Sequence, residues 1–198
     1  MTTPWPAPIR LSDPRCALEP LAVDHHDGLV EAVEDGRLWE LWYTNVPSPA
    51  GMRAEIERRL GLQAAGAMLP FTVRDAAGRI VGMSTYLNVD AGNRRVEIGA
   101  TWTAASAQRT GLNTAAKRLL LGHAFEGLDC IAVELRTHFC NHQSRRAIER
   151  LGAKLDGVLR HHARARDGSL RDTCVYSIIA PDWPAVRTHL DWLLAKPR

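Results

Sequence analysis

Between Leu69 and Thr103, apolar and polar positions alternate in three runs broken by turn residues. That is the pattern of strands with one face buried. The runs are Leu69 to Arg74, Ile80 to Val89 and Arg95 to Thr103, separated by Asp75-Ala76-Ala77-Gly78 and Asp90-Ala91-Gly92-Asn93. They predict three consecutive antiparallel strands joined by hairpin turns. In the third, Val96, Ile98 and Ala100 alternate with Glu97, Gly99 and Thr101. The period then changes. Leu112, Ala115, Ala116, Leu119, Leu120 and Ala124 recur at helical spacing, and Gly127 ends the stretch. Ile131 to Arg136 reads as a strand, and its place after a crossover helix predicts that it runs parallel to Arg95–Thr103.

The flanks follow the same logic. Cys16 to Leu21 reads as a short first strand, and Asp24 is the expected N-cap of a helix carrying Leu29, Val30 and Val33 up to Gly36. A second helix is expected from Ser48 or Pro49 through Met52, Ile56 and Leu60, closed by Gly61 and Gly66. Asn141 caps a further helix with Ala147, Ile148 and Leu151 inward and Gly152 as its stop. Lys154 to Ala165 and Leu170 to Ala180 are strands joined at Asp167-Gly168, and Trp183 to Leu194 is a C-terminal helix. The predicted order is β-α-α-β-β-β-α-β-α-β-β-α. One α/β domain over residues 1–198 with a mixed sheet accounts for it, with an irregular segment at 1–14 and the last helix within 182–198.

Composition narrows the class. At 198 residues and 45% hydrophobic, the chain can fill one core without a disulfide staple. A formal charge of +3 suits an anionic ligand but not a nucleic acid, since the basic residues form no long run. The basic cluster from Arg160 to Arg171 reads as a solvated hairpin. The four cysteines have no C-x-x-C pair and no zinc spacing, so no metal is expected. Cys130, Cys140 and Cys174 are expected as reduced core residues of a cytoplasmic protein. Met1 to Arg10 lacks the apolar core of a secretory signal, and no apolar run is of membrane-spanning length.

The chemistry centres on the segment Gln108-Arg109-Thr110-Gly111-Leu112-Asn113-Thr114-Ala115-Ala116-Lys117. A strand that enters a glycine turn and then a helix presents backbone N–H groups and the positive end of a helix dipole, which together make an anion site. Gly111 lets the backbone come close to a phosphate, and Arg109 and Lys117 are candidates to add charge. The alternative is a plain turn that needs a glycine for its geometry. Neither a P-loop nor a dinucleotide fingerprint is present.

Val96-Glu97-Ile98-Gly99-Ala100-Thr101-Trp102, Gln108-x-x-Gly111-x-Asn113, Asn141-x-x-Ser144 and Leu151-Gly152-Ala153, taken in order, resemble the GNAT superfamily of N-acetyltransferases, closest to its RimJ/RimL-like branch. The run from Gly157 through Asp167-Gly168, Arg171-Asp172 and Tyr176 to Trp183 is similar to that branch as well. The resemblance implies acetyl-CoA as donor, a primary amine as acceptor, and direct attack without a cysteine intermediate. It implies coenzyme contacts along Gln108, Arg109, Thr110, Gly111, Leu112, Asn113 and Thr114, with Asn113 standing where the family has a small residue. It also implies that Arg95–Thr103 and Ile131–Arg136 splay apart. The pantetheine arm then lies along Thr101, Trp102 and Thr103, and a backbone N–H near Ile98 to Ala100 takes the oxyanion role.

Glu97 and Glu134 are the candidate general bases, or else salt-bridged strand residues. The tyrosine that many members use as acid is missing near Ile148, and Ser144 is the candidate proton donor in its place. Asn141 is a helix cap, a pantetheine ligand, or both. Trp39, Trp42, Tyr43 and Asn45 lie where the family binds its acceptor, and core packing is the alternative for each tryptophan. His138 and His142 read as structural or exposed rather than catalytic. The acceptor is a protein or peptide N-terminus or a small amine such as a polyamine, amino acid or drug, with no nucleic acid or membrane partner. A coenzyme-binding module without turnover is the rival reading. The C-terminal helix, with Trp183, Trp192 and Leu193, either caps the domain or pairs with a second copy, and a homodimer is the expected assembly.

Overall fold

The computed structural model describes residues 5–165 and 167–196. Met1–Pro4, Arg166, Pro197 and Arg198, which the sequence reading assigned to the N-terminal segment, the basic cluster and the chain's end, lie outside the described residues. In chain order the elements are β1 (Leu11–Asp13), β2 (Cys16–Pro20), α1 (His26–Glu34), α2 (Met52–Ala64), β3 (Leu69–Asp75), β4 (Ile80–Asp90), β5 (Arg95–Thr103), α3 (Leu112–Gly122), β6 (Ala132–His138), α4 (His142–Arg150), β7 (Lys154–Arg164), β8 (Leu170–Ile179) and α5 (Trp183–Ala195). The eight strands form one sheet in the order β1-β2-β3-β4-β5-β6-β8-β7. Only β5 and β6 pair in parallel; every other neighbouring pair is antiparallel.

Four hairpin turns share one device. Asp13, Asp75, Asp90 and Asp167 each turn a carboxylate back onto backbone N–H groups ahead of them: Arg15 and Cys16, Ala77 and Arg79, Asn93, and Ser169, at 2.7 to 3.0 Å. An aspartate does this readily because its short side chain mimics a backbone turn.

Cross-strand partners share a face, so Tyr86 opposite Ile98 and Leu87 opposite Glu97 define the two sides of the sheet. Tyr86 donates its hydroxyl hydrogen to the Leu120 carbonyl at 2.6 Å, which places α3 over the first side. Tyr176 binds Glu149 of α4 on that side, and α5 packs on α3. Arg59 of α2 reaches Thr85 on the other side, and α1 packs against α2. The largest fully buried side chains, Tyr86, Tyr176, Phe71, Leu18, Met52 and Leu120, join both layers into one core. Burial of each stabilises the fold by about 1.5–3 kcal/mol.

Several boundaries differ from the sequence reading. The segment expected to be irregular to Pro14 contains β1, paired with β2 from Leu11 opposite Leu18. Asp24 is not an N-cap: a 3-10 turn over Val23–His25 precedes α1, and Ala22 stands at its start. Gly61 lies inside α2, and Gly66, at φ 73°, ends the turn beyond it. Ser48 accepts the Gly51 N–H at 3.2 Å and opens the α2 region as expected. Cys140 is exposed, whereas Cys16, Cys130 and Cys174 are buried. Among the described residues no helix is long and apolar enough to cross a membrane.

Candidate active site

The site begins where β5 and β6 part. They pair over Arg95–Glu97 with Ala132–Glu134 and no farther, so the β6-facing edge of β5 is open from Ile98 to Thr103. A bulge drives the separation. Met83 faces Trp102 and Thr85 faces Gly99, so Ser84 stands opposite two residues, Ala100 and Thr101. Ala100 adopts φ 46°, which turns its side chain outward and breaks the alternation expected along this strand.

Two buried cations hold the bulge, one from each face. Arg59 (2% exposed) donates to Thr85 Oγ1 at 2.6 Å and to the Ala100 carbonyl at 3.5 Å, and it is anchored by Glu55 at 2.7 Å. Lys117 donates to Thr101 Oγ1 at 2.8 Å and Ser84 Oγ at 3.2 Å from the α3 side. Lys117 was expected to add charge at the anion loop. Its place on the inward face of α3 sends it into the sheet instead. Among the described residues no carboxylate pairs with it, and burial lowers its pKa to about 7.

Glu97 and Glu134 are register partners on the open face. Glu97 is buried, accepts from Asn88 Nδ2 at 2.7 Å, and lies 3.6 Å from Arg136. Burial raises its pKa and outweighs the opposing pull of Arg136 and Asn88; Glu134 adds to the rise. Gly99 leaves the space Glu97 needs, since a Cβ there would stand 2.7 Å from Glu97 Oε1. Glu134 is engaged by Arg136 and lies 3.8 Å from Arg95. A buried carboxyl of raised pKa beside an open strand edge is suited to exchanging a proton with an amine.

At the glycine turn, Gly111 takes φ 94° and stands as the N-cap of α3 with no side-chain cap of its own; Thr110 Oγ1 accepts the Leu112 N–H at 3.4 Å, and the next N–H groups of the first turn, at Asn113 and Thr114, meet no side-chain cap among the described residues. Gln108 Nε2 donates to the Thr103 carbonyl at 2.9 Å, and Thr110 Oγ1 donates to the Ala107 carbonyl at 2.8 Å. Gln108 therefore ties the loop to the end of β5. Leu112 and Thr114 are buried as whole residues, so Asn113 is the residue of this first helical turn that reaches the surface. Arg150, from α4, donates to Thr114 Oγ1 at 3.0 Å and brings a guanidinium over the α3 N-terminus. No local signal marked Arg150, because 36 residues separate the two. Asn141 Oδ1 accepts the Ser144 N–H at 3.0 Å, so Asn141 is the α4 cap.

The acceptor-side candidates divide. Trp42 and Tyr43 meet edge to face at 5.5 Å, and both meet His138 at the end of β6, at 5.0 and 6.4 Å. Trp42 is 55% exposed, so it forms part of a rim rather than the core. Trp39 packs against the core beside Arg37, and Asn45 lines a separate shallow depression with Ser48 and Arg58. His138 was expected to be structural. It is buried, accepts the Cys140 N–H at 3.0 Å, and forms the floor of the aromatic rim.

An uncapped helix N-terminus, an overhanging arginine and an open strand edge fit a long anionic thioester coenzyme. Residues 15–154 match the family described as "Acetyltransferase (GNAT) domain". The chain is 34% identical over 111 residues to the protein named "Putative ribosomal N-acetyltransferase YdaF" of Bacillus subtilis (strain 168), a match that covers 54% of this chain and 57% of that relative. A GCN5-related N-acetyltransferase from Brucella melitensis superposes with a TM-score of 0.83 at 29% identity, over 96% of this chain and 87% of that one. The structure of RimL, a ribosomal L7/L12 alpha-N-protein acetyltransferase, superposes with a TM-score of 0.77 at 17% identity, over 87% and 95% of the two chains, and shares the fold.

Proposed function

Since the chain belongs to the GNAT acetyltransferase family, we propose that it transfers an acetyl group from acetyl-CoA to a primary amine, and that the acceptor is a peptide or protein N-terminus. The observation that carries the reading is the alignment of three features along one cleft: buried Glu97, the bulged open edge of β5, and the uncapped α3 N-terminus.

The first-turn N–H groups of α3, with Gln108 to Thr114 and the guanidinium of Arg150, would hold the coenzyme's phosphates. Thr101, Trp102 and Thr103 offer the strand edge for its arm, and Asn141 and Ser144 line the opposite wall. When bound, acetyl-CoA supplies the acetyl thioester, the electrophile of the reaction. Glu97 would take a proton from the acceptor ammonium, directly or through a water, and free the nitrogen lone pair for attack, because burial keeps the Glu97 carboxylate more basic than a solvated glutamate. Glu134 is tied to Arg136 and Arg95 and balances their charge beside Glu97. A backbone N–H between Ile98 and Ala100, on the edge that the bulge opens, would donate to the acetyl carbonyl oxygen. The Ser144 hydroxyl, at the first turn of α4, donates the proton to the leaving group.

Family relatives that include a named ribosomal N-acetyltransferase favour an N-terminal amine over a drug or polyamine. The assembly we propose is a homodimer through the outer face of α5, where Trp192 is 55% exposed; light scattering of the purified chain tests it. The test of the activity is thiol release from acetyl-CoA in the presence of a panel of peptides and small amines. Saturable coenzyme binding with no thiol release above the hydrolytic background on any acceptor would replace this reading with a coenzyme-binding module.

A further inference from the structure

Glu134, Arg136 and His138 of β6 and Arg171 and Thr173 of β8 project from the same face of the sheet as Glu97, since Glu97 pairs with Glu134 and His138 with Thr173. This face therefore carries three arginines, Arg95, Arg136 and Arg171, and two glutamates. Arg95 and Arg136 are engaged with Glu134, and Arg136 also lies near Glu97. Arg171 is left over. Among the described residues no carboxylate lies within 4.0 Å of it. The neighbouring Asp172 points to the other side of β8, where it accepts the His161 N–H at 2.8 Å and pairs with Arg160 at 2.5 Å.

Arg171 is nevertheless ordered and half-buried. Its Nε donates to Thr173 Oγ1 at 3.2 Å, and Thr173, 2% exposed, is itself held by His162 at 3.2 Å. That bond lays the guanidinium back along β8, and its two terminal nitrogens meet no protein acceptor among the described residues. The strand register places Arg171 on the Glu97 face of the sheet, and the Glu97 carboxylate acts on its charge. His138, the register partner of Thr173, meets the aromatic rim, and burial together with the Arg171 charge lowers its pKa. An incompletely compensated guanidinium in a partly dry cleft is costly unless an anion meets it. A planar guanidinium with two free N–H edges recognises a carboxylate bidentately.

Resting on the acetyltransferase reading above, we propose that Arg171 is the anion receptor of the acceptor site. The acceptor amine then belongs to a molecule with a carboxylate close to its amino group: a peptide with an acidic residue at its first or second position, or a free acidic amino acid. Amine at Glu97 and carboxylate at Arg171 fix the acceptor at two points, which is the positioning that transfer between bound reactants requires.

The test compares Asp- and Glu-initiated peptides with their Asn- and Gln-initiated counterparts, and free aspartate and glutamate with their side-chain amides. Parent, Arg171→Gln and Arg171→Lys chains are assayed by thiol release. Isothermal titration of the acidic peptide and its amide counterpart into the CoA-loaded chain gives a readout independent of turnover, and CoA affinity reports whether each variant is folded. The parent is expected to prefer the acidic acceptor at least tenfold in kcat/KM. Arg171→Gln is expected to collapse that ratio to near unity, mainly through KM, with CoA affinity retained, and Arg171→Lys to restore part of it. The peptide and amino-acid arms identify which source the site accepts. Equal losses on acidic and amide acceptors, or no acidic preference in the parent, overturn the proposal. If no acceptor turns over, the catalytic reading fails, and the titrations alone decide the anion site: equal affinity for acid and amide then refutes it.

Discussion

Replacing Lys117 by methionine isolates one buried charge. In the folded chain burial lowers the Lys117 pKa to about 7, against 10.5 for an ordinary lysine. The folded state therefore binds fewer protons than the unfolded state between pH 7 and 10.5, and linkage makes stability rise with pH across that window. Below pH 7 both states carry the proton and the penalty is constant. Above 10.5 neither does. The full difference, about 3.5 pH units at about 1.4 kcal/mol each, is roughly 5 kcal/mol, of which about 3 kcal/mol is expressed by pH 9.5. Methionine fills a similar volume and removes the ionisation. Ser84 and Thr101 are 2.8 Å apart and keep each other as partners, so the change leaves no orphaned hydroxyl. Urea unfolding should therefore show a parent midpoint that climbs relative to Lys117→Met between pH 7 and 9.5, by about 1 M for an m-value near 3 kcal/mol/M. Cys16 and Cys130, whose pKa values burial raises to about 12 and about 11, lower stability above pH 9 in both chains and cancel in the difference. Parallel midpoints across the window would refute the argument that Lys117 is buried without an acidic partner.

Glu97→Gln is expected to lower kcat by a factor on the order of 100 to 10,000 and to abolish the acidic limb of the pH–rate profile, which in the parent rises through a pKa above the ordinary 4.5; an unchanged limb would show that another group is the base. Asn141→Ala removes the α4 cap and should cost about 1 kcal/mol in chemical denaturation, with weaker CoA binding if the same side chain serves both uses. Arg150→Gln should weaken CoA binding several-fold and flatten its salt dependence while leaving the unfolding midpoint within about 0.5 kcal/mol, and calorimetry at two ionic strengths checks this.

Where periodicity and turn chemistry act over a few residues, they carried the prediction. The three expected hairpins follow from aspartates that close their own turns. The helical stripe from Leu112 to Ala124 and the C-terminal helix follow from spacing alone. β1 was missed because three residues are too few to show a period, and its pairing depends on β2. Asp24 misled because a capping residue type is only a permission: the chain had already turned, in a 3-10 helix, before α1 began.

At the site the division is sharper. The glycine turn, the α4 cap and the pair of strand glutamates were visible as residue types at the right places along the chain. What those residues face was not. The expected alternation through Ala100 failed because the bulge is set by β4, whose Ser84 stands opposite two residues, and by Arg59 and Lys117 reaching it from opposite layers. Lys117 became a buried clamp, Arg150 an overhang on the α3 N-terminus and Arg171 a guanidinium with no carboxylate pair among the described residues, each decided by what lies far away in sequence. Local sequence determines backbone periods, turns and caps because those interactions span about four residues. Burial, charge balance and the raised pKa of Glu97 depend on the low-dielectric space formed when distant layers close over it, and only the tertiary structure decided them.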